Sequence, residues 1–274
     1  MKPVPLPLPP LFGQFLAVWW GAIWGSFANV CVHRIPRGGS LAWPGSHCPA
    51  CGEPIAWYDN VPVVSYAVLG GRCRSCRTHI SARYPILEAL VAGLSLVLWQ
   101  RHPGSLAYLA EFAFVLALVV MSAIDLELKI IPDALTLPGI PVFFAAGFAI
   151  DAAPWPERLA GAAAGYVLVW LLARAYEKLR GRAGLGLGDG KLLAVVAAFL
   201  GARALPWVVI FGSLQGLLVT VPLLSLARRR GHVRSVARTE VPFGPFLALG
   251  TLEVLLLGPE RLATGVLSLL TRVF

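Results

Sequence analysis

Two aspartates stand where acid–base chemistry is possible. Asp125 closes the apolar run 106–124, and Asp189 sits in the glycine-rich turn Gly186-Leu187-Gly188-Asp189-Gly190-Lys191, at the mouth of an apolar stretch that begins near Leu192. A carboxylate at the edge of a membrane span is expensive to keep, so such residues are functional candidates by default. Taken singly, Asp125 reads as an interfacial charge and Asp189 as a helix N-cap in a flexible turn. Taken together, at one membrane face, they share one proton, because two close carboxylates cannot both ionise cheaply. The ionised member takes a proton from water and the protonated member hydrogen-bonds the carbonyl that the water attacks. The expectation is an intramembrane aspartic protease.

A second constellation is Cys48-Pro49-Ala50-Cys51 and Cys73-Arg74-Ser75-Cys76, two C-x-x-C pairs with 21 residues between them. Each pair can supply two thiolates from one tight knuckle, and four thiolates complete a tetrahedral Zn²⁺ shell with no open position for water. The metal expected is therefore structural: a segment of about fifty residues has too little core to be secure alone, and metal binding supplies folding energy. Two disulfides are the alternative. They suit an oxidising compartment, whereas the arginine-rich surroundings point to the cytosol, where thiols stay reduced. Cys31 is left over and reads as a small apolar filler.

The elements that must position these groups follow from composition. The chain has 274 residues, 57% hydrophobic and 14% charged, against about 25% charged in a soluble domain. Apolar runs that fit bilayer spans lie near 11–32, 84–100, 105–124, 134–150, 158–178, 190–202, 204–226 and 242–257, the sixth of them short, with an apolar tail to 271. The fold expected is an all-α polytopic membrane protein of about eight transmembrane helices with a small cytoplasmic Cys₄ insert. Its parts are a first helix over 1–33, a zinc-binding segment over 34–83, and a helical membrane domain over 84–274 that carries both aspartates. The first run is longer than a signal-peptide core and lacks an A-x-A site, so it is expected to be retained.

The formal charge of +9 raises the question of nucleic acid. Seventeen of the 23 Lys and Arg residues fall in 33–85, at Lys129, in 174–191 and in 227–241. With eight spans and both termini outside, all of these lie on one side, as the positive-inside rule requires. Topology accounts for the charge, and no nucleic-acid partner is expected. The partner expected for the surface is lipid, and both aspartates then lie at the cytoplasmic face.

Other polar residues inside the runs have narrower readings. Gly25 and Ser26 let helices approach closely, and Asn29 is an amide that must find a partner among them. Glu88, one turn inside the second run, is either a structural ion-pair partner or part of a substrate site. Glu111 lies fourteen residues before Asp125, about 21 Å along a helix, and reads as an outer-leaflet or inter-helix group. Pro132 breaks the helix after Asp125, and Asp133 is expected to cap the next. The glycines of 183–191 match neither a dinucleotide loop nor a P-loop, since the flanks are membrane helices and no Gly-Lys-Ser/Thr follows. They suit a backbone held close to another segment.

The motifs in order resemble the type IV prepilin leader peptidase/N-methyltransferase family, of the GxGD aspartic protease class. The resemblance rests on Gly25-Ser26-Phe27 with Asn29-Val30, the four cysteines, Asp59-Asn60-Val61-Pro62, Gly71-Arg72-Cys73 and Ser81-Ala82-Arg83-Tyr84-Pro85. It continues through Ile124-Asp125-Leu126, Ile131-Pro132-Asp133, Gly186-Leu187-Gly188-Asp189-Gly190-Lys191-Leu192 and Pro242-Phe243-Gly244-Pro245-Phe246. Leu185 departs from the Met many relatives carry. The resemblance implies Asp125 and Asp189 as the catalytic pair, at the cytoplasmic face of the inner membrane. It implies prepilins and type II secretion pseudopilins as substrates, cut after a basic leader. It also implies methylation of the new N-terminus with S-adenosylmethionine, for which Glu88 and the zinc segment are the candidate sites. The rival readings are a GxGD protease for another signal peptide, against which the zinc insert argues, and a transporter or assembly scaffold with the aspartates as proton-relay groups.

Overall fold

The computed structural model describes residues 9–151, 153–181, 186–229, 241–259 and 261–265. Leu185 and the basic residues Lys2, Arg182, Arg230, Arg234, Arg238 and Arg272 lie outside these, as does the tail beyond 265. Among the described residues there are nine α-helices up to residue 257, a further helical segment at 261–265, and no strand. The nine are α1 (Pro10–Arg34), α2 (Val64–Val68), α3 (Arg83–Arg101), α4 (Leu106–Leu128), α5 (Asp133–Ala146), α6 (Trp155–Arg180), α7 (Leu187–Leu200), α8 (Ala204–Arg229) and α9 (Gly244–Leu257). Every apolar run expected from the sequence is one of these helices. Four of them are long and apolar enough to cross a bilayer: Leu11–Arg37, Leu106–Leu128, Trp155–Leu179 and Ala204–Leu226. The others are shorter; α7, with 14 residues, reaches about 21 Å. Of the eight spans expected, four are thus borne out by length and hydropathy among the described residues. The chain is a multi-pass membrane protein.

The helices divide into two compact units, 1–120 and 121–274. In the first, α1 and α3 pack antiparallel along a stripe of small residues. A Cβ on Gly13 would lie 2.9 Å from the Trp99 ring, one on Gly21 2.7 Å from Ala92 Cα, and one on Gly25 2.7 Å from Glu88 Cα. Backbones this close exclude any side chain, which is how small residues hold helices together in lipid. Ser95 Oγ donates to Ala17 O at 2.6 Å and lies 2.8 Å from Tyr108 Oη, which links α1, α3 and α4. Glu111 meets His102 at 3.3 Å and Arg101 at 3.8 Å, the inter-helix role expected of it.

Residues 35–82, between α1 and α3, carry little regular structure. Two matching knuckles dominate. Cys48 N donates to Glu53 O and Gly52 N to Cys48 O; Cys73 N donates to Thr78 O and Arg77 N to Cys73 O. The residue after each second cysteine is left-handed, Gly52 at φ 74° and Arg77 at φ 59°, so the two turns share one geometry.

In the second unit α7 is the central rod, and residues 192–200 are all buried. Helix α6 packs antiparallel to it, with Gly161 over Ala202, Gly165 over Leu193 and Gly190 over Val169. Helix α5 packs parallel, from Asp133 beside Lys191 through Gly139 against Val195 to Phe143 edge-on to Phe199. Arg158, 1% exposed, donates to Phe144 O and lies over the rings of Phe144 and Phe148 at 4.8 and 4.2 Å. A Cβ on Gly147 would stand 1.9 Å from its Nη1. Leu168, Leu171 and Leu172 of α6 and Ile210, Leu214, Leu217 and Leu218 of α8 are exposed. Continuous apolar faces of this extent are lipid-facing surface.

Asp133 departs from its expected role. Pro132 is the N-cap of α5 and no side chain caps it. Asp133 is instead the first helical residue, and its carboxylate takes the Lys191 ammonium at 2.5 Å. Helix capping lost because Pro132 already sets the entry angle and Lys191, two residues past Asp189, offers a charged donor. The pair ties the start of α5 to the first turn of α7. Asp133 is 59% exposed, so its worth is that of a surface pair, about 0.2–1 kcal/mol. Asp133→Asn is expected to lower stability by about that amount in a denaturation assay, and to have no effect in a Lys191→Met background.

Candidate active site and metal centre

Asp125 lies in the last turn of α4, 5% exposed. The turn after it is closed by Lys129, left-handed at φ 57°, whose N–H returns to Asp125 O at 2.8 Å. Pro132 then redirects the chain into α5. Gly244, the first residue of α9, donates its backbone N–H to Asp125 Oδ2 at 2.9 Å. The first N–H groups of a helix have no intrahelical partner and carry the positive end of its dipole, so they are a ready anion site. Gly244 is required for this approach: a Cβ there would lie 2.8 Å from Oδ2. Pro245, next in sequence, lacks an N–H and suits the helix start.

Asp189 is the third residue of α7, whose N-cap is Gly186. The reading of Asp189 as an N-cap is therefore replaced by one in which it rides inside the first turn, where a negative charge meets the helix dipole favourably. It is half-buried. Ile131 fixes the turn against its neighbours. A Cβ on Gly188 would lie 3.1 Å from Ile131 Cβ, and one on Gly244 3.2 Å from Ile131 Cδ1. The same isoleucine thus packs beside the residue before Asp189 and beside the donor to Asp125. The turns that carry the two carboxylates therefore pack on one side chain. Two helix N-termini, α7 and α9, converge on them. An acid pair in such a place can hold one proton between its members and can activate a water.

Gly244 and Ile131 carried no separate role in the sequence reading, which had them only inside motifs. The Gly-Pro step after Pro242-Phe243 is the sign of a helix start. It foretells a free N–H without saying which carboxylate would take it.

The four cysteines come together as expected. Their Sγ atoms all lie within 4.8 Å of one another, and Cys48 and Cys76 are 3.8 Å apart. A tetrahedral site with Zn–S near 2.3 Å has S···S edges of about 3.8 Å, so a Zn²⁺ ion fits this donor set; all four thiols are free. The Thr78 hydroxyl and the Thr78 backbone push the Cys76 thiol down to about 6. Arg74, inside the second knuckle, grips Asp59 with two hydrogen bonds of 2.5 and 2.6 Å and holds its carboxyl below the usual range. Cys31 is buried among the helices, the filler expected.

Glu88 is 8% exposed; Oε2 accepts the Val63 backbone N–H at 2.7 Å and the carboxylate also bonds Ser26. It holds the 58–65 loop onto the α1/α3 pair.

Residues 19–102 match the family model described as the bacterial peptidase A24 N-terminal domain, and residues 112–221 that of the type IV leader peptidase family. Among curated proteins, the prepilin leader peptidase/N-methyltransferase of Burkholderia pseudomallei (strain K96243) is 38% identical over 267 residues, which cover 88% of this chain and 84% of that protein. The chain belongs to the prepilin leader peptidase/N-methyltransferase family. Proteins of the same name from Aeromonas salmonicida and Pseudomonas putida agree. The first is 36% identical over 85% of this chain and 87% of its own, the second 33% over 95% and 96%. No solved structure gives a significant match.

Proposed function

We propose that this family member is an aspartic endopeptidase of the inner membrane that removes the basic leader of type IV prepilins and type II secretion pseudopilins at the cytoplasmic face. Asp125 and Asp189 are its catalytic pair. What supports this reading is their placement: two carboxylates 64 positions apart in sequence, each beside a helix terminus, with Ile131 packed beside both turns.

The mechanism follows from what each group has free. Gly244 N–H occupies Asp125 Oδ2, which fixes the carboxylate plane and leaves Oδ1 for a water or for the shared proton. Water between the two is deprotonated by the ionised member and attacks the scissile carbonyl. The protonated member hydrogen-bonds the carbonyl oxygen as it becomes an oxyanion. A proton is then delivered to the leaving amine. The half-exposed position of Asp189 admits water. A leader rich in Lys or Arg stays in the cytosol while the apolar helix behind it stays in lipid, so the scissile bond lies where the carboxylates are. All eight apolar helices take part in the membrane in this reading, with both termini outside.

The four cysteines hold a structural Zn²⁺ ion in the cytoplasmic segment, and the ion takes no part in proteolysis. The same chain methylates the new N-terminus, and S-adenosylmethionine supplies an electrophilic methyl group when bound.

Gly244→Ala probes the geometry without touching an acid. The added Cβ displaces Asp125 and breaks its bond from the backbone, and a 1 Å misplacement can cost on the order of 10²-fold. Leader cleavage is expected to fall by about that factor, with the protein still accumulating in the membrane. The reading as a whole is tested by incubating the purified protein with a prepilin and with an archaellin-type precursor: release of the prepilin leader supports it, and cleavage of the archaellin-type precursor alone favours the rival. A transporter or scaffold cuts neither.

A further inference from the structure

The α1/α3 crossing holds a polar pair that the proteolytic site does not use. Asn29, 4% exposed, donates its Nδ2 to Gly25 O at 3.3 Å and to Tyr84 O at 3.2 Å. Both partners are carbonyls, so the amide cannot be turned round. Its Oδ1 is therefore an acceptor, buried and without a hydrogen-bond partner among the described residues. A lone acceptor buried between helices is costly unless a donor arrives. One helical turn away on each helix, where a Gly25 Cβ would meet Glu88 Cα at 2.7 Å, lies the buried Glu88 carboxylate.

What now covers Glu88 is a backbone N–H held in an unfavourable turn. Val63 has φ 62° and ψ −47°, and Val64 N donates to Pro62 O at 2.6 Å. That is the γ-turn with positive φ, rare and strained, on a β-branched residue. Such strain persists where the surroundings enforce it and collects at functional sites. The strained turn directs the Val63 N–H at Glu88 Oε2. An incoming N–H donor would find one acceptor vacant and a second held by a turn ready to relax.

We infer that the Asn29–Glu88 pair is the site that receives the free α-amino group of the cleaved substrate, with Glu88 taking its proton before methylation. This rests on the reading of the chain as a peptidase and methyltransferase. The product of leader removal is a new primary ammonium. Asn29 Oδ1 accepts one of its N–H bonds, and the Glu88 carboxylate accepts a second and removes that proton. The freed nitrogen lone pair forms an N–C bond to the methyl group of a sulfonium donor. The methyl C–S bond breaks with its electron pair going to sulfur, which leaves neutral as a thioether, and the product is a secondary ammonium. The proton on Glu88 returns to solvent when Val63 moves off the carboxylate. All residues named lie within the 1–120 unit.

The test uses the full chain in detergent, zinc-loaded, and two synthetic peptides of the mature pilin N-terminus, one with a free amine and one N-acetylated. Wild type is expected to bind the free-amine peptide roughly tenfold more tightly. Glu88→Gln and Asn29→Ala are each expected to lose that preference, Glu88→Asp to restore part of it, and zinc content to stay at the wild-type level as the sign of a folded chain. In the same samples, label from S-adenosylmethionine is expected on the free-amine peptide with wild type and not with Glu88→Gln. Equal binding of both peptides by wild type, or an undiminished preference in both variants, overturns the site. Intact preference with no label transferred by wild type refutes the methyltransferase reading and leaves the amine site standing.

Discussion

Asp189→Asn is expected to lower leader cleavage by at least about 10³-fold, and Asp125→Asn by a similar factor, with both proteins present in the membrane at wild-type level. The size follows from the work each carboxylate does. Positioned general acid or base catalysis contributes about 10²–10⁴. An asparagine keeps the shape of the side chain and loses the ability to hold or release the proton. It retains a carbonyl oxygen, so Gly244 N–H keeps an acceptor at position 125 and the end of α9 stays in place. Folding is spared for that reason, which separates a chemical role from a structural one. The double variant is expected to be no worse than either single variant, because a pair that shares one proton acts as a unit and its losses do not add. Cleavage assayed with purified prepilin under single-turnover conditions reads all three. Two independent, multiplicative losses would mean that the aspartates do not work on one water.

The second large effect concerns the Cys₄ centre. One equivalent of zinc per chain is expected by elemental analysis. Cys48→Ser or Cys73→Ser is expected to release it, and with it the order of residues 35–82. The segment has few alternatives to the metal: two isolated bridges, two knuckle turns and the Arg74–Asp59 pair are its main internal contacts. Structural zinc in small domains is worth about 10–16 kcal/mol in apparent binding energy, beyond what these contacts can replace. Limited proteolysis is expected to cut within 35–82 in either variant and in chelator-treated protein, while the membrane helices stay protected. A reducing agent without a chelator is expected to change nothing. Protection lost on reduction alone would instead indicate disulfides.

Where sequence reasoning reached the structure, it did so through signals with a single physical meaning. Each apolar run became a helix because lipid leaves the backbone no other way to satisfy its N–H and C=O groups. The four cysteines met because two C-x-x-C knuckles have one obvious use. Asp125 and Asp189 could be paired from the sequence because each closes or opens an apolar run, and in the fold Ile131 packs beside the turns of both. The shortfalls came from contacts that no local pattern encodes. Asp133 looked like a cap, since Asp before a helix usually is one, yet its partner is Lys191, 58 positions on. Glu88 could be read as an ion-pair member, whereas its partner is a backbone N–H at Val63 in a conformation that a β-branched residue gives no hint of adopting. Gly244 signalled a helix start; only the fold shows that this start points at Asp125. The sixth run reads as short in the sequence, and α7 is a helix of 14 residues buried by its neighbours.

The central claim is that one proton is shared between Asp125 and Asp189 during hydrolysis. The rate of single-turnover leader cleavage as a function of pH tests it most directly. A shared-proton pair requires a bell: activity falls on the acid side when both carboxylates are protonated and on the alkaline side when both are ionised, with the two apparent pKa values belonging to the pair. A rate that rises with pH and holds a plateau into alkaline solution would contradict the account, since it would describe a nucleophile or base that needs no protonated partner.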